Sequence, residues 1–181
     1  MNIDDFYKPV DIENLNEIQQ EVLKLIPQNL LGQSSLTYIE NSKQIFLSIP
    51  VLYNFLKSKN MYQSVMNIAV NITQGHSQGD IHVDSGPYKH SLNIPIIGND
   101  NTWINFFKAD SDYKVITVEN KGKPHHFFKY TDDQCELIHN VETIRPYLLG
   151  TKTPHRVINK SDQTRIMLLI RLFPGPWVES I

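Results

Sequence analysis

Cysteine is almost absent: Cys135 is the only one in 181 residues. No internal disulfide can form, so the fold must be held by its core, and a chain of this length can bury one large enough. A lone thiol suits a reducing compartment, and a cytoplasmic setting is the expectation. Cys135 itself reads as a small, half-buried strand residue. Basic runs are missing too. Lys and Arg number 17 against 19 Asp and Glu, for a formal net charge of −2, and no lysine-rich stripe stands out. The electrostatic footprint of a general nucleic-acid binder is lacking. So is any long apolar run: the longest, in "RIMLLIRLF", is too short and too charged to span a bilayer. The opening "MNIDDFYKPV" has no apolar stretch of the signal-peptide kind. Neither a membrane nor nucleic acid is expected as a partner. With no repeats, low-complexity tracts or linkers, one domain over residues 1–181 is the expectation.

What is present falls into two textures. Residues 1–60 read as mainly helical support. In "DIENLNEIQQEVLKLIP", Ile12, Leu15, Ile18, Val22, Leu25 and Ile26 recur at three- and four-residue steps, with Asp11 as N-cap and Pro27 as terminator. A second helix is expected from Ser48, with Pro50 in its first turn. From residue 61 to 173 the texture is β. "MYQSVMNIAVNITQ", "HSLNIPII", "TWINFFKA", "YKVITVE", "HHFFKY", "CELIHNVE", "RPYLL", "HRVIN" and "TRIMLLIRLF" alternate with turn clusters such as "GNDN" and "NKSDQ". Short strands at intervals near ten residues, without crossover helices, point to an antiparallel sandwich or barrel of the jelly-roll kind. The fold class expected is mainly β, with N-terminal helices on the outer face of one sheet and residues 174–181 as a tail.

The stretch "GDIHVDSGP" raises the question of function. Chance alone supplies roughly 0.4 His-x-Asp pairs in a chain with seven histidines, so His82-Val83-Asp84 counts only in context. On a strand the two residues point to one side with Cα atoms roughly 6.5 Å apart, and imidazole and carboxylate can converge on one ion. "NIAVNITQ" before them and "SGP" after them suggest a strand opening into a loop. A third ligand is needed. His76 lies in a flexible loop, His125 and His126 face opposite sides of a strand, and His90 and His139 have no distinctive company; for these five a solvated or hydrogen-bonded role is the better reading.

His155 differs because of the residues after it. "TPHRVINKSDQTRIMLLIRL" reads as a hairpin turning at Lys160, which sets His155 directly across from Arg165. Arg165, Met167, Leu169 and Arg171 share the inner face of the last strand; Ile166, Leu168, Ile170 and Leu172 share the other, covered by the helices. A guanidinium inside an apolar barrel needs an anion. A structural carboxylate and a bound ligand are both open as that anion. Arg171, six residues or roughly 20 Å farther along, is expected to lie away from His155.

In order, then, the chain carries His82-x-Asp84, a distant histidine in "PHRV", and Arg165 ten residues later at the head of the last apolar strand. This pattern resembles the Fe(II)- and 2-oxoglutarate-dependent dioxygenases, over about residues 61–173. That family is built on a double-stranded β-helix, a jelly-roll barrel. The resemblance implies His82, Asp84 and His155 as the catalytic metal ligands and Arg165 as the partner of the distal carboxylate of 2-oxoglutarate. It also implies Fe(II), 2-oxoglutarate as co-substrate and O2 as cofactors. Oxidative decarboxylation to succinate would drive hydroxylation of an amino acid, a peptide side chain or a small metabolite.

Many members place a serine or threonine two residues after that arginine; here Met167 stands there, so another donor is needed. Tyr88, Ser91, Asn93 and Thr102 are the polar residues best placed. If Asn93 faces inward, Leu92, Ile94 and Ile96 are left for the helix-covered side, which favours Asn93. "HVDSGPYKHSLNIPI" is similar to the aspartyl/asparaginyl β-hydroxylase-like and small phage or bacterial hydroxylase branches, although the best-known members of the former lack the carboxylate that Asp84 supplies. A retained Asp84 favours hydroxylation over halogenation. Tyr88, Trp103, Phe106, Phe107, Phe127 and Phe128 are candidate pocket walls, with ordinary core packing the stronger reading for each. Trp177 reads as an anchor. Two other readings stay open: a cupin-like metalloenzyme that does not use 2-oxoglutarate, and a non-catalytic jelly-roll binding module.

Overall fold

A computed structural model describes residues 2–28, 31–39, 42–84, 86–110, 114–120, 123–175 and 177; for residues 42–44, 116–120 and 123–127 it describes the backbone alone. Along the chain run β1 (Tyr7–Pro9), α1 (Leu15–Leu25), β2 (Ser35–Ile39), α2 (Ser42–Ser48), α3 (Pro50–Ser58), β3 (Val65–Thr73), β4 (Ser77–Gln78), β5 (Ile81–Val83), β6 (His90–Ile97), β7 (Thr102–Ala109), β8 (Lys114–Asn120), β9 (Lys123–Tyr130), β10 (Cys135–Glu142), β11 (Tyr147–Gly150), β12 (His155–Asn159) and β13 (Arg165–Leu172). They form two antiparallel sheets. One has the order β1-β11-β6-β13-β3-β2; the other runs β10-β7-β12-β5-β9-β8, with β4 paired to β12. The architecture is mainly β, as the strand and turn pattern implies.

Period-2 alternation on the central strands decides what each face does. Ile68, Val70 and Ile72 of β3, Leu92, Ile94 and Ile96 of β6, and Ile166, Leu168, Ile170 and Leu172 of β13 all turn outward into one buried cluster. Ile18 and Val22 of α1, Ile45 and Phe46 of α2, and Leu52 and Leu56 of α3 complete it. Each such side chain, fully buried, contributes roughly 1.5–3 kcal/mol. The helices therefore lie on the outer face of the first sheet. Gln19 of α1 adds a directional tie, donating from Nε2 to the Pro95 carbonyl at 2.8 Å. A second, smaller cluster fills part of the space between the sheets and joins Phe6, Tyr7, Ile104, Phe106, Tyr147, Leu149 and Met167.

Three local expectations are corrected. Asp11 does not cap α1; the helix begins after Asn14, which takes a left-handed conformation (φ 57°) and makes no side-chain cap. Asparagine tolerates that conformation, so the chain turns there, three residues later than the capping reading places it. The N-terminal third also holds strands: β1 and β2 extend the edges of the first sheet, and α2 precedes the helix at Pro50. Most consequentially, β12 and β13 do not form a hairpin. β12 pairs with β5, β7 and β4, whereas β13 pairs with β3 and β6 in the opposite sheet. The "NKSD" turn is a corner between sheets. Asn159 fixes it, donating from Nδ2 to the carbonyls of Thr73 (3.2 Å), Gln74 (3.1 Å) and Gln163 (2.8 Å).

Of the tail, residues 176 and 178–181 lie outside the described residues. Trp177 is fully buried, donates to the Phe173 carbonyl at 3.1 Å and packs edge-on against His90. It is an anchor. Among the described residues no helix is long and apolar enough to cross a membrane.

Candidate metal centre

The His-x-Asp pair lies where β5 ends. His82 is in the strand and pairs in register with His155 at the start of β12. Paired residues on adjacent strands project to the same face, so the two imidazoles meet, with ring centroids 4.6 Å apart. Asp84 comes just after the strand. Its backbone N–H donates to the Thr151 carbonyl at 3.0 Å, and Lys152 Nζ donates to the carbonyls of Asp84 (2.6 Å) and Gly86 (2.7 Å). The loop carrying Asp84 is thus pinned to the turn that leads into His155. The ligating atoms of His82, Asp84 and His155 all lie within 4.8 Å of one another, and His82 Nε2 stands 3.8 Å from Asp84 Oδ1.

Both histidines are oriented in the same way. His82 Nδ1 lies 2.9 Å from the Asp80 carbonyl and His155 Nδ1 lies 2.8 Å from the Thr153 carbonyl. A carbonyl only accepts, so each Nδ1 carries a proton, and Nε2 is the ring nitrogen left to face a ligand. Burial lowers the His155 pKa to about 4, with His82 adding to the effect and Asp84 opposing it. The imidazole is therefore neutral and free to coordinate at ordinary pH. Two imidazole nitrogens and one carboxylate suit a borderline divalent ion such as iron, and three ligands on one side leave positions open for others.

These residues open into a cavity of about 140 Å³ between the sheets, also lined by Tyr38, Asn71, Tyr88, Ser91, Asn93, Tyr147, Arg165 and Arg171. Arg165 is 1 % exposed. Its Nη1 donates to Asn71 Oδ1 at 3.2 Å, and its buried Nε has no acceptor. Among the described residues no carboxylate pairs with it. Burial lowers its pKa, and Tyr147 offsets this only in part. Arg171 is placed differently. Its Nη2 lies 3.9 Å from Asp84 Oδ2, and Nη1 donates to the hydroxyls of Tyr38 (3.0 Å) and Tyr88. Burial opposes its charge, but Asp84, Tyr88 and Tyr38 outweigh that and raise its pKa. The expectation that Arg171 lies away from the histidine site is corrected. β5 and β13 belong to facing sheets, and a side chain from one reaches residues of the other across the gap.

No protein-family model matches the chain, and no curated protein matches it in sequence. Solved structures do match. One is AviO1 from Streptomyces viridochromogenes Tue57, at a TM-score of 0.57 and 8 % identity, over 94 % of this chain and 90 % of that one. Another is the epimerase SnoN in complex with Fe3+, α-ketoglutarate and nogalamycin RO, at 0.56 and 7 %, over 92 % and 78 %. The fold is a double-stranded β-helix. At these identities the likeness is one of fold, and the site rests on the chain's own residues.

Within the double-stranded β-helix the other histidines with described side chains stand elsewhere. His76 pairs with the exposed Asp162 at 2.6 Å, His90 packs on Trp177, and His139 lies beside Phe6. The side chains of His125, His126 and Phe127 lie outside the described residues. Of the four polar candidates, Tyr88, Ser91 and Asn93 line the cavity, whereas Thr102 is buried against Thr143 and Asn99. Asn93 Oδ1 accepts from Ser91 Oγ at 2.7 Å. Of the named aromatics whose side chains are described, only Tyr88 lines the cavity. Phe106 is core, and Arg156 sits over Phe107. Sequence reading missed Tyr38, Asn71 and Tyr147. Asn71 carried a signal: a polar residue at an inward step between the outward-facing Val70 and Ile72. Tyr38 and Tyr147 carried none, because their place depends on strands joined from distant parts of the chain.

Proposed function

We propose that this protein is a non-haem Fe(II)- and 2-oxoglutarate-dependent oxygenase that hydroxylates an amino acid, a peptide side chain or another small metabolite. One observation carries the reading: the cavity walled by His82, Asp84 and His155 also holds Arg165, a buried guanidinium with no carboxylate among the described residues. A cation so placed is costly unless an anion reaches it. A diacid that chelates a metal at one end and meets Arg165 at the other supplies that anion. SnoN, which shares the fold, is a protein whose structure holds Fe3+ and α-ketoglutarate. A metalloenzyme that uses no diacid would leave the Arg165 charge without a purpose.

His82, Asp84 and His155 would hold the iron. Bound together, iron and 2-oxoglutarate supply an oxidant from O2, with succinate and carbon dioxide released. The chain's own contribution is placement and exclusion of water. Arg165 fixes the distal carboxylate through charge-assisted hydrogen bonds worth about 1.5–3 kcal/mol. Asn71, Asn93 and Tyr147 offer further polar atoms to that wall. The Asp80 and Thr153 carbonyls keep the imidazoles in register with the metal.

Anaerobic addition of Fe(II) and 2-oxoglutarate should give a weak visible absorption band. His155→Ala should abolish it together with metal binding. Arg165→Gln should weaken 2-oxoglutarate about tenfold or more while metal binding persists. No band in the wild type, with metal affinity unchanged in His155→Ala, would end the proposal.

A further inference from the structure

Among the described residues the cavity wall carries two guanidinium groups, Arg165 and Arg171, against a single carboxylate, Asp84. Histidines that coordinate a metal through Nε2 are neutral and add no charge. A divalent ion in the site adds two positive charges and draws on Asp84 for coordination. A diacid removes two. One positive charge is left over, and it sits at Arg171, because Arg165 lies at the diacid's far end. An uncompensated cation at a 5 % exposed position calls for one more anion.

Arg171 is built to receive it. Its guanidinium lies 4.6 Å from the Tyr88 ring centroid and 5.6 Å from that of Tyr38, and both hydroxyls accept from Nη1. The two rings fix the guanidinium without neutralising it. Its hydrogen-bonding capacity is not used up: Nε is buried without an acceptor, and Nη2 stands 3.9 Å from Asp84, beyond hydrogen-bond distance. Close by, Lys152 Nζ is held by two backbone carbonyls and sits 5.7 Å from the Tyr88 ring centroid. It adds to the positive field at the Asp84 side of the cavity. Gly86 makes room for this arrangement. A Cβ there would fall 1.9 Å from the Tyr88 ring.

Resting on the oxygenase reading, we propose that Arg171 is a second anion anchor, distinct from the Arg165 end, and that the substrate is a carboxylic acid whose carboxylate docks on it. A free amino acid or another small acid fits; an uncharged internal peptide side chain does not.

The test uses the protein loaded with Mn(II) and saturated with 2-oxoglutarate. Propionate and propionamide, alike in shape and different in charge, are the probes, and relaxation of their protons by the bound Mn(II) is the readout. Propionate is expected to bind about tenfold more tightly than propionamide. Arg171→Gln removes that preference, and Arg171→Lys, which keeps the charge, retains part of it and serves where Arg171→Gln does not fold. 2-Oxoglutarate affinity, measured alongside, changes little in the Arg171 variants and falls about tenfold in Arg165→Gln. Equal relaxation of the two probes in the wild type overturns the proposal. So does a loss of 2-oxoglutarate affinity in Arg171→Gln as large as in Arg165→Gln, which would assign the guanidinium to the co-substrate's own carboxylate. Failure of the wild type to bind Mn(II) or 2-oxoglutarate is a separate result: it removes the oxygenase reading on which this one stands.

Discussion

Arg165 and Arg171 share one strand and one cavity, yet their charges are balanced differently. Arg171 has Asp84 and two tyrosine hydroxyls; among the described residues Arg165 has amide and phenol dipoles alone. Replacing a poorly compensated buried ion by an apolar side chain of similar volume is often neutral or stabilising, by about 1–4 kcal/mol. Arg165→Met should therefore leave the melting temperature of the ligand-free protein unchanged or raise it, while abolishing 2-oxoglutarate binding in calorimetry. A clear drop in melting temperature would make Arg165 a structural residue. His155 gives a pH signature. An unfolded imidazole titrates at 6.5 and folded His155 at about 4. Between those values the unfolded chain binds the proton and the folded chain does not. The contribution is thus fully present above pH 6.5 and is lost as pH falls toward 4, at roughly 3 kcal/mol in all. Urea titrations of the metal-free protein at pH 7 and pH 4.5 should show a steeper loss for the wild type than for His155→Gln. Equal losses would contradict it.

At the scale of elements, the head of β13 is held from the neighbouring strand. Gly98 ends the β6 side of its pairing with φ +64°, and a Cβ there would sit 2.1 Å from the Thr164 carbonyl oxygen, one residue before Arg165. Neither the backbone conformation nor the contact admits a side chain. Gly98→Ala should destabilise the protein by about 1–3 kcal/mol and should also weaken 2-oxoglutarate, because the head of β13 must shift. Chemical denaturation and calorimetry together check this; an unchanged 2-oxoglutarate affinity would mean that Arg165 is positioned independently of that turn. The same strand explains where sequence reading fails. Its alternation correctly separates Arg165, Leu169 and Arg171 from Ile166, Leu168, Ile170 and Leu172. Its partner is not legible, because two adjacent strands with a short turn look like a hairpin whether they pair with each other or with strands of opposite sheets. Asn159, by bonding to carbonyls at the end of β3, decides for the corner.

At the scale of the whole molecule, the sheets are joined by packing on one side and by a polar cavity on the other. A ligand that bridges the metal site and Arg165 ties β5 and β12 to β13 across the two sheets. Mn(II) with 2-oxoglutarate, each at 100 times its dissociation constant, should each stabilise the fold by about 2.7 kcal/mol by mass action, and a chelator should reverse this. Scanning calorimetry checks it, with Asp84→Ala expected to show no metal-dependent shift. The sequence by itself determined the mainly β texture, the strand bounds at "HSLNIPII", "TWINFFKA", "CELIHNVE" and "HRVIN", and the helix-covered face, which come from periodicity, a property of neighbouring residues. His82, Asp84, His155 and Arg165 were joined as a set through the resemblance to the dioxygenases. Only the tertiary structure decided that His82 and His155 are register partners, that Arg171 reaches Asp84 from the opposite sheet, and that Tyr38, from an edge strand in the first forty residues, walls the same cavity. Such contacts are set by which strands pair and which faces meet, and no local pattern in a single chain encodes that choice.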